Sequence, residues 1–342
     1  MVFVGVLALG QPLEAWDSWT EWAAKARSIF RAGGLGPIVT GGLAGLNPYL
    51  HYPPAVSLRE AWVFGWLGAS DDRWLGALTL FDYLAMLALL RGALLLHGCG
   101  STTTRVSLAV TAAILPLAAG AGTAMPDVTL ALLAMAAAVH LRQWTRSGAR
   151  AHLALGAVAA GALGWFKLEG AVLAGVLMAA VATTTGLPAR RAALAVAAMG
   201  AASGAMALPW WRLGPDATVG FADFAPLTGP VLVAGLDRAW PIARQTARIL
   251  VDPLLGFVWP VTGLVVGGML ARRVRRGRWP TPDHLPLFVA VGYAGLMTLP
   301  YLVSTYAPLE AHVRNSYYRL AAQVTPLLVL WLGLQAGGEP GE

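Results

Sequence analysis

The chain has 342 residues, 57% of them hydrophobic and only 12% charged, with a mean hydropathy of +0.62. Soluble domains carry about 25% charged and about 45–50% apolar residues, so this composition excludes an ordinary cytosolic enzyme or a nucleic-acid binder and indicates a protein folded mostly inside a bilayer. The net charge of +7 is almost entirely arginine, lysine occurring only as Lys25 and Lys167, and the single Cys99 excludes an internal disulfide framework or a cysteine metal site.

In chain order, the apolar run 1–10 is too short to cross a bilayer and lacks the basic start and cleavage site of a signal peptide. It reads as the outer end of a first span that begins upstream. Residues 11–73 then form a long outer loop. From Glu14 to Phe30, the residues Trp16, Trp19, Ala23, Ala26 and Phe30 recur at helical spacing, while Asp17, Glu21 and Lys25 follow on another face. This predicts an amphipathic helix lying in the membrane interface, with Ser18 and Glu21 matching a capping box. Asp17 then either stands just outside the helix or is itself the cap. The strap Asn47 to Pro54 displays His51 and Tyr52 on an extended segment, since no helix starts before Pro53. Residues 55–69 are apolar but short and contain Arg59 and Glu60, so they are predicted to lie along the surface.

Spans are predicted near 74–97, 106–121, 127–141, 151–166, 169–187, 192–211, 254–271, 285–303 and 318–335. Arginine-rich loops stay cytoplasmic, and Arg142, Arg146, Arg150, Arg190–Arg191 and the run from Arg272 to Arg278 set one consistent orientation. Parity then places Asp17, Asp127, the Lys167–Glu169 turn, and the loops 212–253 and 304–317 on the outer face. Asp127 follows Pro126 at a span opening, where the helix dipole favours an acid. Lys167 and Glu169 share a tight turn in which they can simply pair. The loop 212–253 is read as containing a surface helix with Asp237, Arg238, Arg244 and Arg248. In the last outer loop, His312 and Arg314 precede Arg319, which is placed at the start of the final span. A guanidinium there suits a bound phosphate, with Tyr317 and Tyr318 at headgroup depth. No internal repeat, Gly-rich phosphate loop, His-x-x-x-His pair or Gly-x-Ser-x-Gly elbow occurs, and no metal is assigned.

Three of these features together resemble the GT-C superfamily of membrane glycosyltransferases. They are the acid of Trp16-Asp17-Ser18-Trp19, the strap His51-Tyr52-Pro53-Pro54, and the span-opening acid of Met125-Pro126-Asp127. Phe166-Lys167-Leu168-Glu169-Gly170 is also similar to a Lys–Asn–Glu–Gly turn of such proteins, with Leu in place of Asn. The likeness is to bacterial relatives of dolichyl-phosphate-mannose protein mannosyltransferases and of lipid A aminoarabinose transferases.

The resemblance implies an all-α polytopic membrane protein, a single domain with a bundle of about 9–10 transmembrane helices. It implies a bacterial inner-membrane location with the active site on the outer face. The implied reaction moves a sugar from a polyprenyl-phosphate donor to an acceptor hydroxyl on a glycan, lipid or protein. Asp17 maps onto the general base, and Asp127 onto the acid that orients the acceptor or the first-loop helix. Glu21, His51, Tyr52, Lys167, Glu169, His312, Arg314 and Arg319 are assigned to substrate binding, with Lys167, Arg314 and Arg319 chosen for the donor phosphate by charge and position. Because a lipid-phosphate sugar already carries its leaving group, no cofactor is called for. Direct displacement would invert the anomeric carbon. The alternatives are a lipid-linked saccharide polymerase or ligase, and a transporter or flippase. A transporter would place ionisable residues near the bilayer midplane, whereas here they gather at helix ends.

Overall fold

The computed structural model describes residues 2–10, 12–13, 15–40, 52–184, 186–213, 224–225, 228–273 and 282–337. Among these the protein is helical, with one isolated bridge between Phe224 and Ser304. The N-terminal part holds α1 (Val2–Gly10), a wide π-helical turn (Ser18–Ala23) running into α2 (Ala24–Ala32), α3 (Gly36–Val39) and α4 (Ala55–Leu67). Then follow α5 (Leu75–Leu96), α6 (Ser101–Ala112), α7 (Leu115–Gly122), α8 (Asp127–Ser147), α9 (Arg150–Phe166), α10 (Leu168–Thr184) and α11 (Ala189–Leu213). The last part comprises α12 (Gly229–Ala234), α13 (Ala239–Leu250), α14 (Val258–Arg273), α15 (Leu285–Leu296) and α16 (Leu309–Gly337).

A helix falls on each predicted span, with instructive differences. By length and composition, the helices at Asp72–Leu96, Ala189–Leu213, Pro282–Val303 and Leu309–Gly337 can each cross a membrane. The span expected at 106–121 is instead the pair α6 and α7, bent by 64°. Pro116 stands in the first turn of α7, the position where a missing N–H is harmless, so a continuous helix through it is replaced by a corner. The final helix starts at Leu309, well before the expected 318, so His312 and Arg314 are helical and Arg319 lies inside α16, not at its mouth.

Most of the core is formed by α5, α7, α8, α9, α10, α15 and α16, with Tyr83, Met135, Tyr293 and Trp331 buried among their aliphatic residues. The first loop has a small core of its own. Ala23, Ala26, Ile29, Ala61 and Phe64 pack with Ala124 from the α7–α8 corner and Trp210 from α11. The loop is thereby docked on the helix bundle.

The two faces of this segment separate as follows. Trp16 and Trp19 of the apolar stripe are 71% and 49% exposed, while Ser18, Glu21, Trp22 and Lys25 are buried. The π turn inserts an extra residue into the helical register, so the face carrying Asp17, Glu21 and Lys25 turns toward the bundle. Ser18 does not cap the helix; its hydroxyl donates to Thr123 O at 2.6 Å. Asp17 makes no cap bond either.

Two ion clusters mark the two ends of α8. At its C-terminal end Arg142 donates to Asp283 at 2.5 Å and contacts His97, and Arg146 reaches Asp283 at 3.3 Å. The other cluster surrounds Asp127, about 22 Å away at 1.5 Å per residue along the helix.

Candidate active site

Arg319 is the centre of the second cluster. Its Nη1 donates to Asp17 Oδ2, and its Nε and Nη2 both donate to Asp127 Oδ2, at 3.0 and 2.9 Å. The other oxygen of Asp127 accepts from Gln323 Nε2 at 2.5 Å and faces Lys167 Nζ at 3.4 Å. Lys167 also pairs with Glu169 Oε1 at 3.1 Å. The first loop, the opening of α8, the α9–α10 turn and α16 thus meet through one carboxylate and one guanidinium. Asp127 is 5% exposed, against 29% for both Asp17 and Arg319.

Each element delivers its group for a local reason. Asp127 opens α8 directly after Pro126, at a helix N-terminus, the end whose dipole favours a carboxylate. The corner before it is turned by Ala124, a non-glycine residue at φ +55° whose side chain belongs to the loop core. Lys167 has extended backbone between α9 and α10, and Gly170 lets the turn close. A Cβ at Gly170 would lie 2.1 Å from Leu163 O.

A further network flanks this cluster. Arg59 of α4 donates to Asp82 of α5 at 2.6 Å and to Thr129 of α8 at 3.2 Å, and Thr129 donates to Asp82 at 2.5 Å. Along the first-loop helix, Lys25 lies 4.8 Å from the ring centre of Trp22 and 5.8 Å from that of Tyr52, two rings that themselves meet edge to face at 5.4 Å. Burial pushes Glu21 up to about 7, and the charge of Asp17 adds to it. Burial also lowers Lys25 to about 8 and raises Glu60 to about 8.

Of the residues assigned from sequence, Asp17, Asp127, Lys167, Glu169 and Arg319 form one cluster, and Glu21 stands one turn beyond Asp17 on its inner face. Tyr52 sits instead on the Trp22–Lys25 side of the loop helix. His51 lies outside the described residues. His312 hydrogen-bonds Ser304 at 2.7 Å among the rings of Phe224, Tyr301 and Tyr306, which ties α16 to the segment before it. Arg314 is exposed and makes no ion pair among the described residues. Tyr317, expected at headgroup depth, is buried and donates to Ala294 O at 2.8 Å. Gln323 was not anticipated, although a polar residue one turn after Arg319 inside an apolar helix was the available signal. Among the described residues no three His, Cys, Asp or Glu side chains are grouped to hold a metal.

The multi-helix bundle, with its buried ion cluster at one helix end beneath an acid-bearing first loop, shares its fold with a solved structure of a polyprenyl-phosphate-bound protein. The solved structure of ArnT from Cupriavidus metallidurans, bound to undecaprenyl phosphate, matches it with a TM-score of 0.63 at 14% identity, over 98% of this chain. This chain spans 58% of the length of that one. No protein-family model matches the sequence, and no curated protein matches it by sequence.

Proposed function

We propose that the protein is a glycosyltransferase moving a sugar from a polyprenyl-phosphate donor to an acceptor hydroxyl at the outer face of a bacterial inner membrane. The observation that carries this reading is the meeting of Asp17 and Asp127 on Arg319 at one end of the bundle. A base and a phosphate-binding cation are the two groups such a transfer needs. ArnT, which shares the fold, is a protein bound to undecaprenyl phosphate, and the same lipid carrier suits a bilayer-embedded site here.

In this reading the two acids have different tasks. Asp127 has both oxygens occupied by donors, so it anchors Arg319 and Lys167 and takes no part in proton transfer. Asp17 uses only Oδ2, and Oδ1 makes no hydrogen bond among the described residues. Asp17 accepts the acceptor's proton as the acceptor oxygen bonds to the anomeric carbon. The bond from that carbon to the phosphate oxygen breaks, its electron pair leaves with the phosphate, and the anomeric configuration inverts. Arg319 and Lys167 stabilise the charge gathering on the departing phosphate. The arginine cluster of Arg142 and Arg146 marks the opposite, cytoplasmic end.

The test is transfer by the purified protein in lipid vesicles, supplied with polyprenyl-phosphate sugars and candidate acceptor glycans, lipids and peptides. Expected is a product of inverted anomeric configuration together with free polyprenyl phosphate. Chain growth from lipid-linked oligosaccharides would replace this reading with a polymerase or ligase. Movement of the lipid across the bilayer without transfer would replace it with a flippase.

A further inference from the structure

We propose that Asp17 and the donor phosphate compete for Nη1 of Arg319, so that arrival of the donor releases Asp17 to the acceptor. This rests on the glycosyltransferase reading above and adds an order of events to it. A guanidinium offers two edges for paired hydrogen bonds, Nε with one terminal nitrogen and the two terminal nitrogens together. Asp127 occupies the first, through Nε at 3.0 Å and Nη2 at 2.9 Å. Any second partner held by two bonds must therefore use Nη1, and Asp17 is on it.

The two carboxylates differ in how firmly they are held. Asp127 is buried and bonded through its other oxygen to Gln323, with Lys167 beside it. Asp17 is partly exposed, makes no cap bond, and touches the cluster only through Arg319. Charge points the same way. Asp17, Asp127 and Glu169 already outnumber Arg319 and Lys167. An anionic phosphate brought to Nη1 repels the carboxylate that shares it. Asp17 is the partner that yields, and Asp127 keeps the guanidinium in place while it does so.

The ion pair with Arg319 thus holds the base until the donor takes its place. With the phosphodiester seated, both oxygens of Asp17 face the acceptor. The hydroxyl proton passes to Asp17, the acceptor oxygen bonds to the anomeric carbon, and the electron pair of the broken bond leaves with the phosphate.

The experiment is equilibrium binding of undecaprenyl phosphate to the full chain in lipid nanodiscs. Asp17→Asn removes the competing charge and should bind the lipid roughly three- to tenfold more tightly than wild type. Asp17→Glu keeps the charge and should stay within about twofold of wild type. In an Arg319→Gln background the gain from Asp17→Asn should vanish, as a cycle through one shared contact requires. Should the Asn variant fail to fold, Asp17→Ala gives the same comparison. Equal or weaker binding by the charge-free variants overturns the competition while leaving the glycosyltransferase reading standing. Failure of wild type to bind the lipid at all removes both.

Discussion

Arg319 donates two hydrogen bonds to a single oxygen of Asp127, from Nε at 3.0 Å and from Nη2 at 2.9 Å. The second oxygen serves Gln323 and Lys167, so one buried carboxylate satisfies donors from α16 and from the α9–α10 turn. Removing it leaves the Arg319 guanidinium with only the partly exposed Asp17, and the buried Lys167 ammonium with only Glu169, as counter-charge. Asp127→Ala should therefore destabilise the protein by roughly 3–5 kcal/mol, and Asp127→Asn by less, because the amide keeps an acceptor. Thermal melting in detergent checks this; variants that melt like wild type would show that Asp127 is not the anchor.

Asp17 presents the opposite case. Its pair with Arg319 is partly open to solvent, and such pairs contribute little to stability. Asp17→Asn should melt close to wild type yet lose roughly 10²–10⁴-fold in turnover, the usual range for removing a general base. Near-normal sugar transfer by this variant would reduce Asp17 to a ligand of Arg319.

The buried acids of the first loop predict how stability depends on pH. Burial raises Glu60 to about 8 and Glu21 to about 7, from an ordinary 4.5. Between those limits the native chain holds protons that the unfolded chain has released, so stability falls as pH rises through roughly 5 to 8. Lys25, lowered to about 8, acts above that window, where stability recovers as the unfolded chain still carries the proton. Glu60→Gln should flatten the upper part of the fall and raise the melting temperature at pH 8 relative to wild type. An unchanged slope in the variant would mean that Glu60 does not carry the extra proton.

Gly170 tests the turn that delivers Lys167 and Glu169. An added Cβ would lie 2.1 Å from Leu163 O and 2.5 Å from Leu163 C, and backbone cannot move aside as a side chain can. Gly170→Ala should cost roughly 1–3 kcal/mol and weaken undecaprenyl phosphate binding by shifting Lys167 from Asp127. Wild-type melting and binding in this variant would show that the turn has room the close approach denies.

The helical bundle was legible in the sequence because apolar stretches long enough for a bilayer need no tertiary information to be recognised. Asp17 and Asp127 were singled out by the family resemblance, and Lys167, Glu169 and Arg319 by charge at the outer ends of apolar runs, where charge is rare and costly. Which of them touch was decided only by the tertiary structure. Arg319 was read as a free guanidinium at a helix mouth, yet it lies inside α16 with Asp17 and Asp127 on it. Helical spacing set Trp16 and Trp19 on an apolar stripe and Asp17, Glu21 and Lys25 on another face, but only the packing showed that Glu21 and Lys25 are buried while both Trp stay exposed. Hydrophobic period records how apolar a face is, whereas a buried acid chooses its side from the partners waiting there. For Asp127 those partners are Lys167, Arg319 and Gln323, brought within reach by the packing of α8 against α9 and α16. No local pattern in the chain records that packing.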